Sequence, residues 1–163
     1  MVCYDGGAMA DGCQGKQSAD SQSRLPDAVT RLLPDVIYLY DLRGRRHTYL
    51  TREIAAILGF SSDELQSAGA ALLLDRVHPD DAARVAAHME AMAAAGDDEH
   101  RSVEYRMRAR SGAYVWLYVR ERVYSRDAAG RPEVLFGVCQ EVTERKRLEQ
   151  AVRDSAADLG AAQ

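Results

Sequence analysis

The chain has 163 residues, 28% of them charged, 47% hydrophobic, with a formal net charge of −4, which suits one globular domain with tails. The mild charge and the lack of a long basic block argue against a nucleic-acid surface, and no apolar run reaches the length of a membrane span. Three cysteines, Cys3, Cys13 and Cys139, without a C-x-x-C pair, argue against a disulfide framework or zinc site and fit reduced thiols in the cytoplasm.

Residues 1–23, rich in glycine and small polar side chains, read as a disordered segment. Asp27 to Leu33 predicts a short helix ended by Pro34, with Ala28, Val29, Leu32 and Leu33 on one sticky face. Val36 to Tyr40 and Arg46 to Leu50 predict a hairpin across Asp41-Leu42-Arg43-Gly44. Thr51 to Leu58 predicts a short helix stopped by Gly59, and Ser61 or Ser62 a cap for the next one. Ala70 to Val77 is apolar and helical or partly irregular. His78-Pro79-Asp80-Asp81 opens the main central helix, with Asp80 as its expected N-cap, and the helix runs to about Gly96.

The most informative stretch follows. Val103, Tyr105, Met107 and Ala109 alternate with Glu104, Arg106, Arg108 and Arg110, the period-2 pattern of a strand with one dry face. Turn signals at Ser111-Gly112 and at Asp127 to Pro132 divide a three-strand meander that ends near Val142. Thr143 then caps a helix on which Leu148, Val152, Ser155, Leu159 and Ala162 recur at spacings of four and three. That spacing predicts a coiled-coil seam, the alternative being an amphipathic tail packed on its own domain. The order β-β, small helices, longer helix, β-β-β, exit helix predicts an α+β fold with a five-stranded antiparallel sheet and helices on one face.

Val77-His78-Pro79-Asp80-Asp81, Glu104-Tyr105-Arg106-Met107, Ser111 to Trp116, Phe136-Gly137-Val138 and Glu141-Val142-Thr143-Glu144-Arg145 occur in that order. In this order and spacing they resemble a bacterial sensory PAS domain of the PAS fold-3-like subtype. The resemblance implies a PAS domain at 24–143 with an N-terminal cap helix, and a signalling helix at 144–163. It implies a non-catalytic module that senses a small ligand or cofactor, or dimerises, and passes the signal to an output module such as a histidine kinase, a diguanylate cyclase or a second PAS domain. The alternative is a scaffold that binds no ligand and serves homodimerisation and protein contact. The family's Asp-Ile-Thr motif reads Glu141-Val142-Thr143 here, making these the expected transmission residues, with an acid one methylene longer than usual.

For the pocket, Tyr105, Met107, Leu117 and Cys139 are the strand candidates and Ile57, Val85 and His88 the helix candidates. They predict an apolar interior with one phenol, filled by its own side chains or holding a small apolar ligand; the filled core is the expectation. The positions where light-sensing relatives hold flavin with amides fall on Met107, Leu117 and Cys139, and the reactive cysteine motif is missing, so flavin is not expected. The haem-ligand position falls near Val85. His88, one turn on, is the candidate ligand, but haem is not expected, nor is any other metal. On the opposite sheet face Trp116, Tyr118, Phe136 and Val138 need a cover: the Asp27–Leu33 helix, or a second copy in a homodimer. No Gly-rich phosphate loop, G-x-S-x-G or H-E-x-x-H appears, so no enzymatic activity is expected.

Overall fold

A computed structural model describes residues 34–51 and 53–161; the segment 1–23, the Asp27–Leu33 helix, Cys3, Cys13 and Ala162 lie outside the described residues. The β-branched and aromatic hairpin forms as expected, with β1 (Val36–Asp41) and β2 (Arg46–Leu50) antiparallel and a register shift between Leu39 and Tyr40. Three helices follow: α1 (Ile54–Leu58), α2 (Ser62–Leu74) and α3 (Pro79–Ala93). The meander supplies β3 (His100–Arg108), β4 (Tyr114–Arg126) and β5 (Pro132–Glu141), and α4 (Thr143–Ala161) leaves from its end. The sheet order is β2-β1-β5-β4-β3, antiparallel throughout, so the last strand lies at the centre, beside the first.

Local chemistry explains the helix ends. Gly59, at φ 76°, closes α1 with its N–H donated to the Ala55 carbonyl, a left-handed stop that costs glycine little. Ser61 and Glu64 form a reciprocal capping box: the Glu64 N–H donates to Ser61 Oγ at 3.2 Å and the Ser61 N–H to Glu64 Oε2 at 2.8 Å. Gly69, at φ 68° and ψ −170°, breaks α2 just before the run Ala70 to Val77. The N-cap of α3 is His78, not Asp80: His78 Nδ1 accepts the Asp80 N–H at 3.2 Å, and Pro79 takes the first helical position, where its missing N–H costs nothing.

The strands divide their faces as the alternation predicts. Val103, Met107, Leu117, Val119, Leu135 and Cys139 are buried toward α1–α3. Trp116, Tyr118, Phe136 and Val138 point the other way and are half-buried among the described residues. The exit helix is not a tail folded back on the domain. Its residues 151–160 are all exposed, with Leu148, Val152 and Leu159 at 59%, 69% and 71% exposure; apolar side chains at this spacing are left without a partner among the described residues.

Candidate functional site

Buried apolar side chains make up most of the interior. Between the inner sheet face and the helices lies a cavity of about 120 Å³. Its apolar wall comes from Leu50, Ile54, Leu58 and Leu65 on one side and Val103, Met107, Leu117 and Val119 on the sheet. Of the sequence candidates, Tyr105, Met107, Leu117, Cys139, Val85 and His88 all line it. Ile57 does not. It packs half-buried against the same core, and Ile54 and Leu58, a turn apart on α1, take the cavity-facing positions.

The interior is also not purely apolar with one phenol. One end carries a polar row that crosses the sheet. Tyr38 on β1 is opposite Gly137 on β5, and Gly137 is opposite Glu121 on β4. The Tyr38 hydroxyl donates to Glu121 Oε1 at 2.6 Å, so its side chain spans β5 to reach the strand beyond. Gly137 makes this reach feasible: a Cβ there would sit 2.1 Å from Tyr38 Cζ, well inside contact distance, so the ring occupies the space of the missing side chain. From α3, His88 Nε2 meets Glu121 Oε2 at 2.7 Å. His88 and Glu121 are both buried, and each carboxylate oxygen has a partner, as a buried polar group requires. His47 completes this end. Its ring packs edge-on against both Tyr38 and Tyr40, with centroids 5.1 Å apart in each case.

These surroundings set the ionisation of the row. Burial, reinforced by Glu121, pushes the Tyr38 phenol well above its usual range. Burial likewise raises Tyr105, and lifts the Cys139 thiol to about 12, leaving an unreactive core cysteine. Burial lowers His47 to about 4 against an attraction to Glu121 that works the other way, so its imidazole is neutral at pH 7.

A second cluster sits on the outer side of the same strands, where the exit helix begins. Thr143 does not cap α4 with its side chain. Its Oγ1 accepts the Trp116 N–H of β4 at 2.9 Å, and the Val142 N–H donates to the Trp116 carbonyl at 2.8 Å. The first turn of α4 is thus tied to the backbone of one β4 residue. Lys146 Nζ and Arg106 Cζ each lie 5.1 Å from the centre of the Trp116 ring, as cations over an aromatic face do. Glu104 pairs with Arg145 and Lys146. Arg106 is held in turn by Asp81 of α3, whose Oδ2 accepts both the Arg106 backbone N–H at 2.8 Å and Nε at 2.9 Å, with Oδ1 accepting Nη2 at 2.9 Å. Asp81 is buried, and the Arg106 hydrogen bonds hold its carboxyl down at about 2. Glu141 is exposed and makes no ion pair among the described residues, so of the expected transmission residues Thr143 and Val142 carry the contacts.

Sequence reading missed Tyr38, His47 and Glu121 as interior groups and Asp81 as an anchor. Glu121 sits at an inward position of β4, in step with Leu117 and Val119, and an acid at an apolar-phase position is the signal that marked it. The helix-cap reading of the Asp80-Asp81 pair concealed the second acid.

A family profile described as the PAS fold matches residues 47–139. No curated protein matches the sequence at a significant level. Among solved structures, a sensory box histidine kinase/response regulator from Burkholderia thailandensis E264 is similar at 29% identity and TM-score 0.68, covering 83% of this chain and 97% of that one. The N-terminal domain of a diguanylate cyclase with PAS/PAC sensor from Marinobacter aquaeolei shares the fold at 21% identity and TM-score 0.60, covering 69% of this chain and 98% of that one. The PAS-B domain of Cycle from Drosophila melanogaster, with bound ethylene glycol, shares it at 14% identity and TM-score 0.55, covering 65% and 98%. With its five-stranded sheet, interior cavity and strand-to-helix exit, the chain belongs to the PAS fold family.

Proposed function

We propose that this PAS domain is a sensory module without catalysis of its own, which takes a small ligand into its cavity and passes the event through α4 to an output module such as a histidine kinase or a diguanylate cyclase. The observation that carries this reading is the position of β4 between cavity and exit helix. Leu117 lines the cavity on one face, and its neighbour Trp116 holds Thr143 and Val142 by backbone hydrogen bonds on the other. A ligand that shifts Leu117 therefore shifts the anchor of α4 by the stiffness of one peptide unit. The cavity itself favours sensing over the ligand-free scaffold.

The same reading places two α4 helices side by side in a homodimer, with Leu148, Val152 and Leu159 in the seam and the half-buried Trp116, Tyr118, Phe136 and Val138 nearby. The exposure of that stripe supports it. The module works in the cytoplasm. Flavin and haem are not part of this reading: Met107, Leu117 and Cys139 offer the flavin ring no amide, and His88 is engaged by Glu121 at 2.7 Å.

The test is a small-molecule screen by thermal shift, followed by amide hydrogen exchange of the best binder's complex. Altered exchange at Val142 to Lys146 on binding is expected. A ligand that stabilises the fold yet leaves those amides untouched would overturn the transmission step. Sedimentation of the full chain should show a dimer that Val152→Asp dissociates.

A further inference from the structure

The polar end of the cavity has an unfilled valence. His47 Nδ1 is buried and has no hydrogen-bond partner among the described residues, although His47 lines the cavity. A buried polar atom without a partner costs free energy unless a water or ligand reaches it. Beside it, Glu121 Oε1 and Oε2 each accept one hydrogen bond from the protein, and a carboxylate oxygen has room for a second. The aromatic edges of Tyr38, Tyr40 and His47 wall this end. The remaining lining is apolar apart from the Tyr105 phenol and His88.

Size and charge narrow the occupant. A cavity of about 120 Å³ approaches the roughly 150 Å³ of an engineered apolar cavity, in another protein, that binds benzene, so a single ring with one substituent is the scale. An anionic ligand head would set a second acid against Glu121. A donor head is matched by His47 Nδ1 in the tautomer that carries its proton on Nε2.

We infer that the polar end of this cavity recognises a small, uncharged, single-ring molecule that donates one hydrogen bond, of the phenol class, with the ring in the apolar part and its single donor given to His47 Nδ1. The inference rests on the sensory reading of the cavity and names the chemistry of its ligand. The neutral state of the His47 imidazole at pH 7, with burial lowering it to about 4, agrees with an acceptor role.

The experiment is a calorimetric titration of the full chain with phenol, benzene and benzoate at pH 7. Phenol is expected to bind, benzene about tenfold more weakly or worse because it leaves His47 Nδ1 unpaired, and benzoate not measurably. In His47→Phe, with folding checked by circular dichroism, the preference for phenol over benzene should shrink several-fold; if that variant does not fold, the ranking of the three probes on the wild-type chain decides alone. Equal binding of benzene and phenol, or tighter binding of benzoate, overturns the inference while leaving the cavity a ligand site. Failure of all three to bind overturns the inference and counts against the sensory reading as well.

Discussion

Two clusters lie back to back on β4, and they are built on opposite terms. The inner row of Tyr38, Gly137, Glu121 and His88 is buried and tightly fitted, with the half-buried His47 at its end, single hydrogen bonds of 2.6 Å and 2.7 Å and a glycine whose missing side chain is another residue's ring. The outer belt joins the charged side chains of Arg106, Lys146 and Glu104 around the Trp116 ring, the edge strand β3 and the first turn of α4, with the buried Asp81 as its anchor on α3. The inner row is intolerant of change at Gly137, where the Tyr38 ring leaves no space for a side chain. Beyond the Asp81 anchor the outer belt can slide, because the partly exposed pairs of Glu104 with Arg145 and Lys146 are individually weak and replaceable. A detector and a transmitter need this division: a stiff surface that feels a small molecule, coupled to contacts that can rearrange.

The largest effect should come from the inner row. Gly137→Ala forces a methyl into the Tyr38 ring at a 2.1 Å approach and is expected to destabilise the fold by about 3 kcal/mol in urea denaturation. The same substitution in a Tyr38→Ala background should cost much less, and additivity of the two would refute the claim that the ring fills the glycine's space.

Asp81 tests where buried and solvated terms meet. Its carboxyl sits at about 2 in the fold against an ordinary value of 3.8, so it stabilises the folded state above pH 4 and that contribution is lost as pH falls through about 2. Asp81→Asn is expected to lower stability at pH 7 by about 2 kcal/mol and to flatten the decline between pH 4 and pH 2. An unchanged acid slope would show that Arg106 finds another partner.

His47 gives a related but separate window. Its folded-state value of about 4 lies below the ordinary 6.5, because the buried ring resists protonation. The unfolded chain takes up that proton first, so stability is full above pH 6.5 and falls as pH drops toward 4. Allowing for partial solvation of the half-buried residue, the loss should be about 2 kcal/mol, and His47→Phe should remove it from the pH profile of the urea midpoint.

The outer belt should yield smaller numbers and larger functional consequences. Thr143→Ala removes the acceptor of the Trp116 N–H and is expected to cost about 1 kcal/mol globally, while amides of the first α4 turn exchange markedly faster. Glu104→Ala, which breaks exposed pairs to Arg145 and Lys146, should cost less than about 1 kcal/mol. If Glu104→Ala proved as damaging as Gly137→Ala, the contrast between the two clusters would fail.

Much of the fold was legible because strand period and turn chemistry are local. The alternation of Val103, Tyr105 and Met107 with Glu104 and Arg106 sorts the two sheet faces correctly, and Gly59 marks a helix end. The site was legible only in its apolar half. Met107, Leu117 and Cys139 declare themselves by phase, whereas Tyr38 and Glu121 are 83 positions apart and meet through the pairing of β1 with β5 and of β5 with β4. His78 as a cap and Asp81 as a buried anchor were hidden for a related reason: neighbouring acids at a helix start satisfy the cap pattern equally well, and only the approach of Arg106 from β3 selects between them.

The amino-acid sequence by itself determined the element order, the faces of the meander, and the stripe of Leu148, Val152 and Leu159 on the exit helix, because each depends on spacings within a few residues. Only the tertiary structure decided that the core keeps a cavity, that a tyrosine lies across a glycine to reach a glutamate, and that a threonine meant for a helix cap is spent on a tryptophan's backbone. Those outcomes depend on which strands lie side by side and how closely side chains from distant segments pack, and no local spacing carries that information.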